Sequence, residues 1–131
     1  MKSDITSKVD IIFLIDLFYS KILVDKTIGH FFTDVVKIQL DHHMPVMYNF
    51  WEAALLDGNS YKGNPMLKHI AIDKIQKLEE KHFNVWIAEW DATIDEHFSG
   101  KIADQAKQKA SMMKDLMLFK IKASREKGFI Q

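Results

Sequence analysis

Apolar residues recur at steps of three and four along most of this chain, and that period constrains the fold more than any other feature. Phe83, Trp86, Ile87, Trp90, Ile94 and Phe98 keep it, as do Ala103, Ala106, Ala110, Met113, Met117 and Ile121. Such spacing lays one apolar stripe along an α-helix. Ile11, Ile12, Leu14, Ile15, Phe18, Ile22 and Leu23 predict an earlier helix to about Val24, entered by a weak capping box of Ser7 and Asp10. Val46, Met47, Phe50, Trp51, Ala54 and Leu55 predict another, capped by Asp41 and stopped at Asp57-Gly58. Pro45 removes a donor and crowds the carbonyl four residues back, so the regular part of that helix is expected from His42 onward. Gly29 is expected to end a short turn begun at Asp25, and Gly100 to act as a left-handed cap. No alternating run or hairpin dipeptide competes, so the chain reads as a single all-α domain over residues 1–131.

Charge and composition remove several classes of function. Eighteen basic and eighteen acidic side chains cancel, leaving no overall field to draw nucleic acid or an anionic membrane, and neither is expected as a partner. The local excess of Lys and Arg after Lys101 reads as a solvated helix face. The run from Ile11 to Leu17 is interrupted by Asp16 and too short to span a bilayer, and Asp4 and Asp10 do not suit a signal peptide. Without cysteine there is no disulfide scaffold and no thiolate metal site, which fits a reducing, cytoplasmic setting. No heptad stripe or large apolar face calls for a second subunit, so a monomer is expected.

One segment combines a chain stop, a helix start and a histidine. In Tyr61 to His69, Gly63 allows a tight turn, Asn64 can cap, and Pro65 suits the first helical position, where its missing N–H is no loss. His69 then sits one turn into a helix expected to run to about Ile72, before a connection from Asp73 to Lys77. Taken alone, such a histidine is more often a hydrogen-bonded surface or core residue than a ligand. Tyr19 and Trp86 likewise read first as packing residues whose polar tips found partners, and His43 as a residue near a helix start. No His pair has the spacing of a helix zinc site. A di-iron bundle needs two Glu-x-x-His units, and Glu79-x-x-His82 supplies one.

Taken together, these positions resemble a group III truncated haemoglobin over roughly residues 10–118. The matching elements are Phe18-Tyr19, Phe32, His43 with Met47 and Phe50-Trp51, Tyr61 through Pro65, His69, and His82-Phe83 with Trp86. The most specific spacings are His43 to Phe50-Trp51 and Asn64-Pro65 to His69. His30 stands where the family commonly has a proline, and the tail 119–131 lies outside the match with no role assigned. The resemblance implies the truncated globin fold, a two-over-two helical sandwich around a haem, with haem b (iron protoporphyrin IX) as cofactor. It makes His69 the proximal iron ligand, places Tyr19, His43 and Trp86 on the distal side, and packs Phe32, Met47 and Phe50 against the haem.

A pocket of that kind binds O2, NO or CO, and its donors favour holding or activating O2 over carrying it. The function expected is thus that of a haem ligand-binding protein, with NO dioxygenase or peroxidase activity as the chemistry it would support. Its partners are O2, NO or peroxide and an unidentified reductase. Two other readings stay open: a haem-free globin-like interaction or regulatory domain, and a sensor or electron-transfer protein in which His43 also binds the iron.

Overall fold

Helix α1 (Lys8–Ile22) buries Ile11, Leu14, Ile15, Phe18, Tyr19 and Ile22, the stripe its spacing predicts. The computed structural model describes residues 2–35, 37, 39–57 and 65–127, and the regular elements among them are all helical. The entry to α1 differs from the expected capping box. Ser7 is the N-cap but makes no side-chain cap bond; Asp10 reaches past it to the Thr6 N–H at 2.9 Å.

Asp25 starts the next turn, its carboxylate accepting from the Thr27 N–H at 2.7 Å. Gly29 does not end that turn. The chain continues through it into a π-helical turn, Phe31–Val35, and Gly29 is needed for close approach: a Cβ there would lie 2.7 Å from the Leu23 carbonyl oxygen.

Helix α2 (Leu40–Leu56) begins before the expected His42, with Pro45 inside it. The His42 and His43 N–H groups both reach the Gln39 carbonyl, at 3.1 and 2.9 Å, so Gln39 rather than Asp41 is the cap. Pro45 deprives only the Asp41 carbonyl of its helical donor, and Asp41 is exposed, so water can replace that bond. Asp57 closes the helix in the left-handed conformation, at φ 62°. The expected loop from Gly58 through Asn64, including the Tyr61–Asn64 part of the helix-start signal, lies outside the described residues, as do 128–131 of the tail.

Helix α3 (Pro65–Ile75) runs past the expected Ile72. Asp73 stays helical and uses its carboxylate to accept the Leu78 N–H at 2.8 Å, which closes that end. Helix α4 (Glu80–His97) opens with a capping box in which His82 Nδ1 accepts the Glu79 N–H at 2.9 Å. The isolated Glu-x-x-His spacing is thus explained by local backbone chemistry.

Helix α5 (Lys101–Lys127) carries the tail that the sequence left without a role. Gly100 precedes it at φ +147°, not as a left-handed cap but to make room for Asp4. The two Asp4 carboxylate oxygens accept the N–H groups of Ile102 and Ala103, each at 2.9 Å. The N-terminal segment thereby caps the last helix.

Helix α1 packs on α2 and α4, and α5 on α4, α3 and α2, giving the two-over-two sandwich of a truncated globin. Ala103, Ala106 and Ala110 are buried and small, letting α5 approach α4 closely. Trp90 is fully buried between them, its indole N–H donating to the Ala106 carbonyl at 3.1 Å. Tyr48 on α2 donates to Asp16 on α1; burial and that carboxylate push the phenol up to about 12. A second apolar cluster joins Phe31, Ile70, Leu78, Phe83, Met117, Leu118 and Ile121. Contrary to the sequence expectation of no exposed apolar face, α5 leaves Met112, Leu116 and Phe119 in solvent, at 69, 48 and 68% exposure.

Candidate functional site

Between the two apolar clusters lies a cavity of about 660 Å³, walled by residues of both. The structure brings all seven predicted site residues to it: Tyr19, Phe32, His43, Met47, Phe50, His69 and Trp86. They come from α1, the π-helical turn, α2, α3 and α4, so only the folded chain assembles them.

Tyr19 is buried on α1, and its hydroxyl lies 2.7 Å from His43 Nε2 on α2. Burial pushes the Tyr19 phenol far up, so it keeps its proton at any physiological pH. Burial, then the charge of Lys68, hold His43 below its ordinary value. A neutral imidazole has one donor and one acceptor nitrogen. In the tautomer with hydrogen on Nε2, His43 donates to the Tyr19 oxygen and leaves the phenolic hydrogen for a ligand.

Trp86 is oriented by aromatic stacking. Its ring lies parallel to that of Trp90, centroids 6.0 Å apart at 2°, and Trp90 stacks in turn on Trp51 at 4.5 Å. Phe18 meets Trp86 edge-on at 5.7 Å. These contacts hold an indole whose polar atom is a donor only. Phe32 packs edge-on against Tyr19 at 5.8 Å, tying the π-helical turn to the same wall.

His69 comes from α3, half-buried beside Phe83, with ring centroids 6.3 Å apart. Phe83 belongs to the second cluster, whereas Tyr19 and Trp86 stand with the first. His30, the residue that departs from the family pattern, does not disrupt its turn. It stacks near Phe31 at 4.4 Å and hydrogen-bonds the Gln76 side chain at 2.9 Å.

Sequence reasoning missed the charge of the cavity wall. Lys37, Lys68 and Lys114 line it together with four histidines, His42 and His82 joining His43 and His69, and none of its described lining residues is Asp or Glu. These lysines lie far apart in sequence, so no local pattern marks them. An apolar interior with cationic side chains and no Asp or Glu among its described lining residues suits an apolar ligand that carries acid groups. Among the described residues no three His, Cys, Asp or Glu side chains gather to hold an ion.

No family model matches the chain. It is similar to the group 3 truncated hemoglobin ctb of Campylobacter jejuni, 23% identical over 116 residues that span 86% of this chain and 89% of that one. A crystal structure of a group III truncated hemoglobin from Campylobacter jejuni superposes with a TM-score of 0.81 at 22% identity, covering 92% of this chain and 95% of the other.

Proposed function

We propose that this chain, whose fold is that of a truncated globin and whose resemblance to group III truncated haemoglobins is borne out by both comparisons, is a haem protein with His69 as the iron ligand. The observation that carries the proposal is convergence: seven residues singled out in sequence line one cavity of about 660 Å³. That volume falls within the range of cofactor sites. Phe32, Met47, Phe50 and Phe83 offer apolar contact to a porphyrin ring, and the lysines offer charge to its carboxylates. Haem b bound there supplies an iron with an open coordination position for a diatomic ligand.

The protein's own part is to hold protons where a ligand needs them. Tyr19 stays protonated, Trp86 can only donate, and His43 either orients Tyr19 or donates itself. Hydrogen bonds to a partly charged acceptor contribute about 1.5–3 kcal/mol each, so two of them slow release of O2 by roughly 10² to 10⁴. That favours holding O2, and its use against nitric oxide or peroxide, over carrying it. In the other tautomer Nε2 is the acceptor, and peroxide chemistry would use it to take up and return a proton. Electrons would come from a separate reductase. No described helix is long and apolar enough to cross a membrane.

The test is the absorption spectrum of protein expressed with ample haem, recorded as purified, after dithionite, and after carbon monoxide. A strong Soret band that shifts at each step supports the proposal. A colourless protein that takes up no added haem overturns it in favour of an interaction domain, and a six-coordinate ferrous spectrum indicates a second histidine on the iron.

A further inference from the structure

We infer that Arg125 is a positioning residue for His69, acting through Asp73 from the far end of α5; the inference rests on the haem reading of the cavity. Asp73 follows His69 by four residues, so the two lie on one face of α3, a turn apart. The Asp73 side chain is 7% exposed, and the Arg125 guanidinium holds both of its oxygens, with Nε at 3.0 Å from one of them. The same guanidinium donates to the Leu78 carbonyl at 2.7 Å, while the Leu78 N–H donates to Asp73 at 2.8 Å. Three segments, the end of α3, its connection to α4 and the last turns of α5, close on one another through these four hydrogen bonds.

The clamp stands at the wall of the cavity. His69, Ile72 and Leu78 all line it, and Asp73 lies between the last two in sequence. Fixing Asp73 and Leu78 therefore fixes the path of the backbone that carries His69. Arg125 also supplies the cation for a carboxylate that would otherwise be held by the Leu78 N–H, one turn from the imidazole. A lysine cannot reproduce this, because one ammonium is a point charge where the guanidinium is a planar fork.

The test compares the haem-loaded wild type with Arg125→Met, Arg125→Lys and the double variant Asp73→Asn with Arg125→Met. Two properties are read: the rate of haem transfer to an excess of a haem-accepting apoprotein, and the iron–imidazole stretching band of the ferrous Raman spectrum. Arg125→Met is expected to transfer haem roughly tenfold faster and to shift or broaden the band. Arg125→Lys falls between, and the double variant is slower to lose haem than Arg125→Met because no carboxylate deprived of its guanidinium remains. A folded Arg125→Met with the wild-type rate and band overturns the inference. Should the wild type bind no haem, the haem reading fails by itself, and hydrogen exchange in the colourless chain decides the clamp. Faster exchange over residues 69–78 in Arg125→Met upholds the positioning of His69, and unchanged exchange refutes it.

Discussion

The Tyr19 hydroxyl and His43 Nε2 lie 2.7 Å apart, joining α1 to α2 at the cavity wall. On the haem reading, the tautomer with hydrogen on His43 Nε2 leaves the Tyr19 hydroxyl to donate to a bound diatomic ligand. Tyr19→Phe is expected to speed release of O2 from the ferrous protein by roughly 10- to 100-fold, and Trp86→Phe by a similar factor. Both act on one ligand, so the double variant departs from the product of the single effects. Stopped-flow displacement of O2 by carbon monoxide measures all three, and rates that match the wild type remove both residues from the mechanism.

Acid should loosen the site before it unfolds the rest. Burial, then Lys68, hold His43 below its ordinary 6.5 in the folded chain. Burial, Lys81 and His30 do the same to His82, against an opposing pull from Glu79. Unfolding returns both to the ordinary value, so just below 6.5 the unfolded chain binds more protons. Their contribution is complete above that pH and is lost as pH falls through the folded values. The urea midpoint is expected to drop as pH is lowered from about 6.5, and less steeply in His43→Gln. Asp4 and Asp73 are pushed up by burial but held below 3.8 by stronger partners, backbone N–H groups for Asp4 and Arg125 first for Asp73. Their contributions are lost only in more acid solution, which separates the two effects.

Capping of α5 by Asp4 is open to the same kind of measurement. Asp4→Ala removes the acceptor for Ile102 and Ala103, and should cost about 1 kcal/mol in urea unfolding. Gly100→Ala should cost at least as much, since a Cβ there falls 2.5 Å from Asp4 Cγ in a backbone conformation that suits glycine. In the double variant the contacts with the Asp4 carboxylate are gone and the 2.7 Å contact with the Cβ of residue 4 stays, so the combined loss is somewhat smaller than the sum.

The helices and the candidate site differ in how much of them the sequence reveals. Periodicity marks the buried faces of α1, α4 and α5, because a stripe is a local property of the chain. Element ends were misread wherever a distant or unexpected group satisfied the backbone. Asp73 extends α3 by capping Leu78, Gln39 takes the capping place assigned to Asp41, and Gly100 serves Asp4 from the other end of the chain. Tyr19, His43, His69 and Trp86 were legible through a family pattern, since nothing in their local spacing says that they face one cavity. The lysine-rich wall and the Arg125 clamp were not legible, because their members meet only after α3 and α5 have packed.

The central claim is that the His69 imidazole holds the iron, and ferrous Raman spectroscopy of His69→Gly addresses it most directly. The wild type should show an iron–imidazole stretching band, the variant should lack it, and free imidazole added to the variant should restore it. A band that persists unchanged in His69→Gly would contradict the account, as would a wild-type chain that yields no haem spectrum at all.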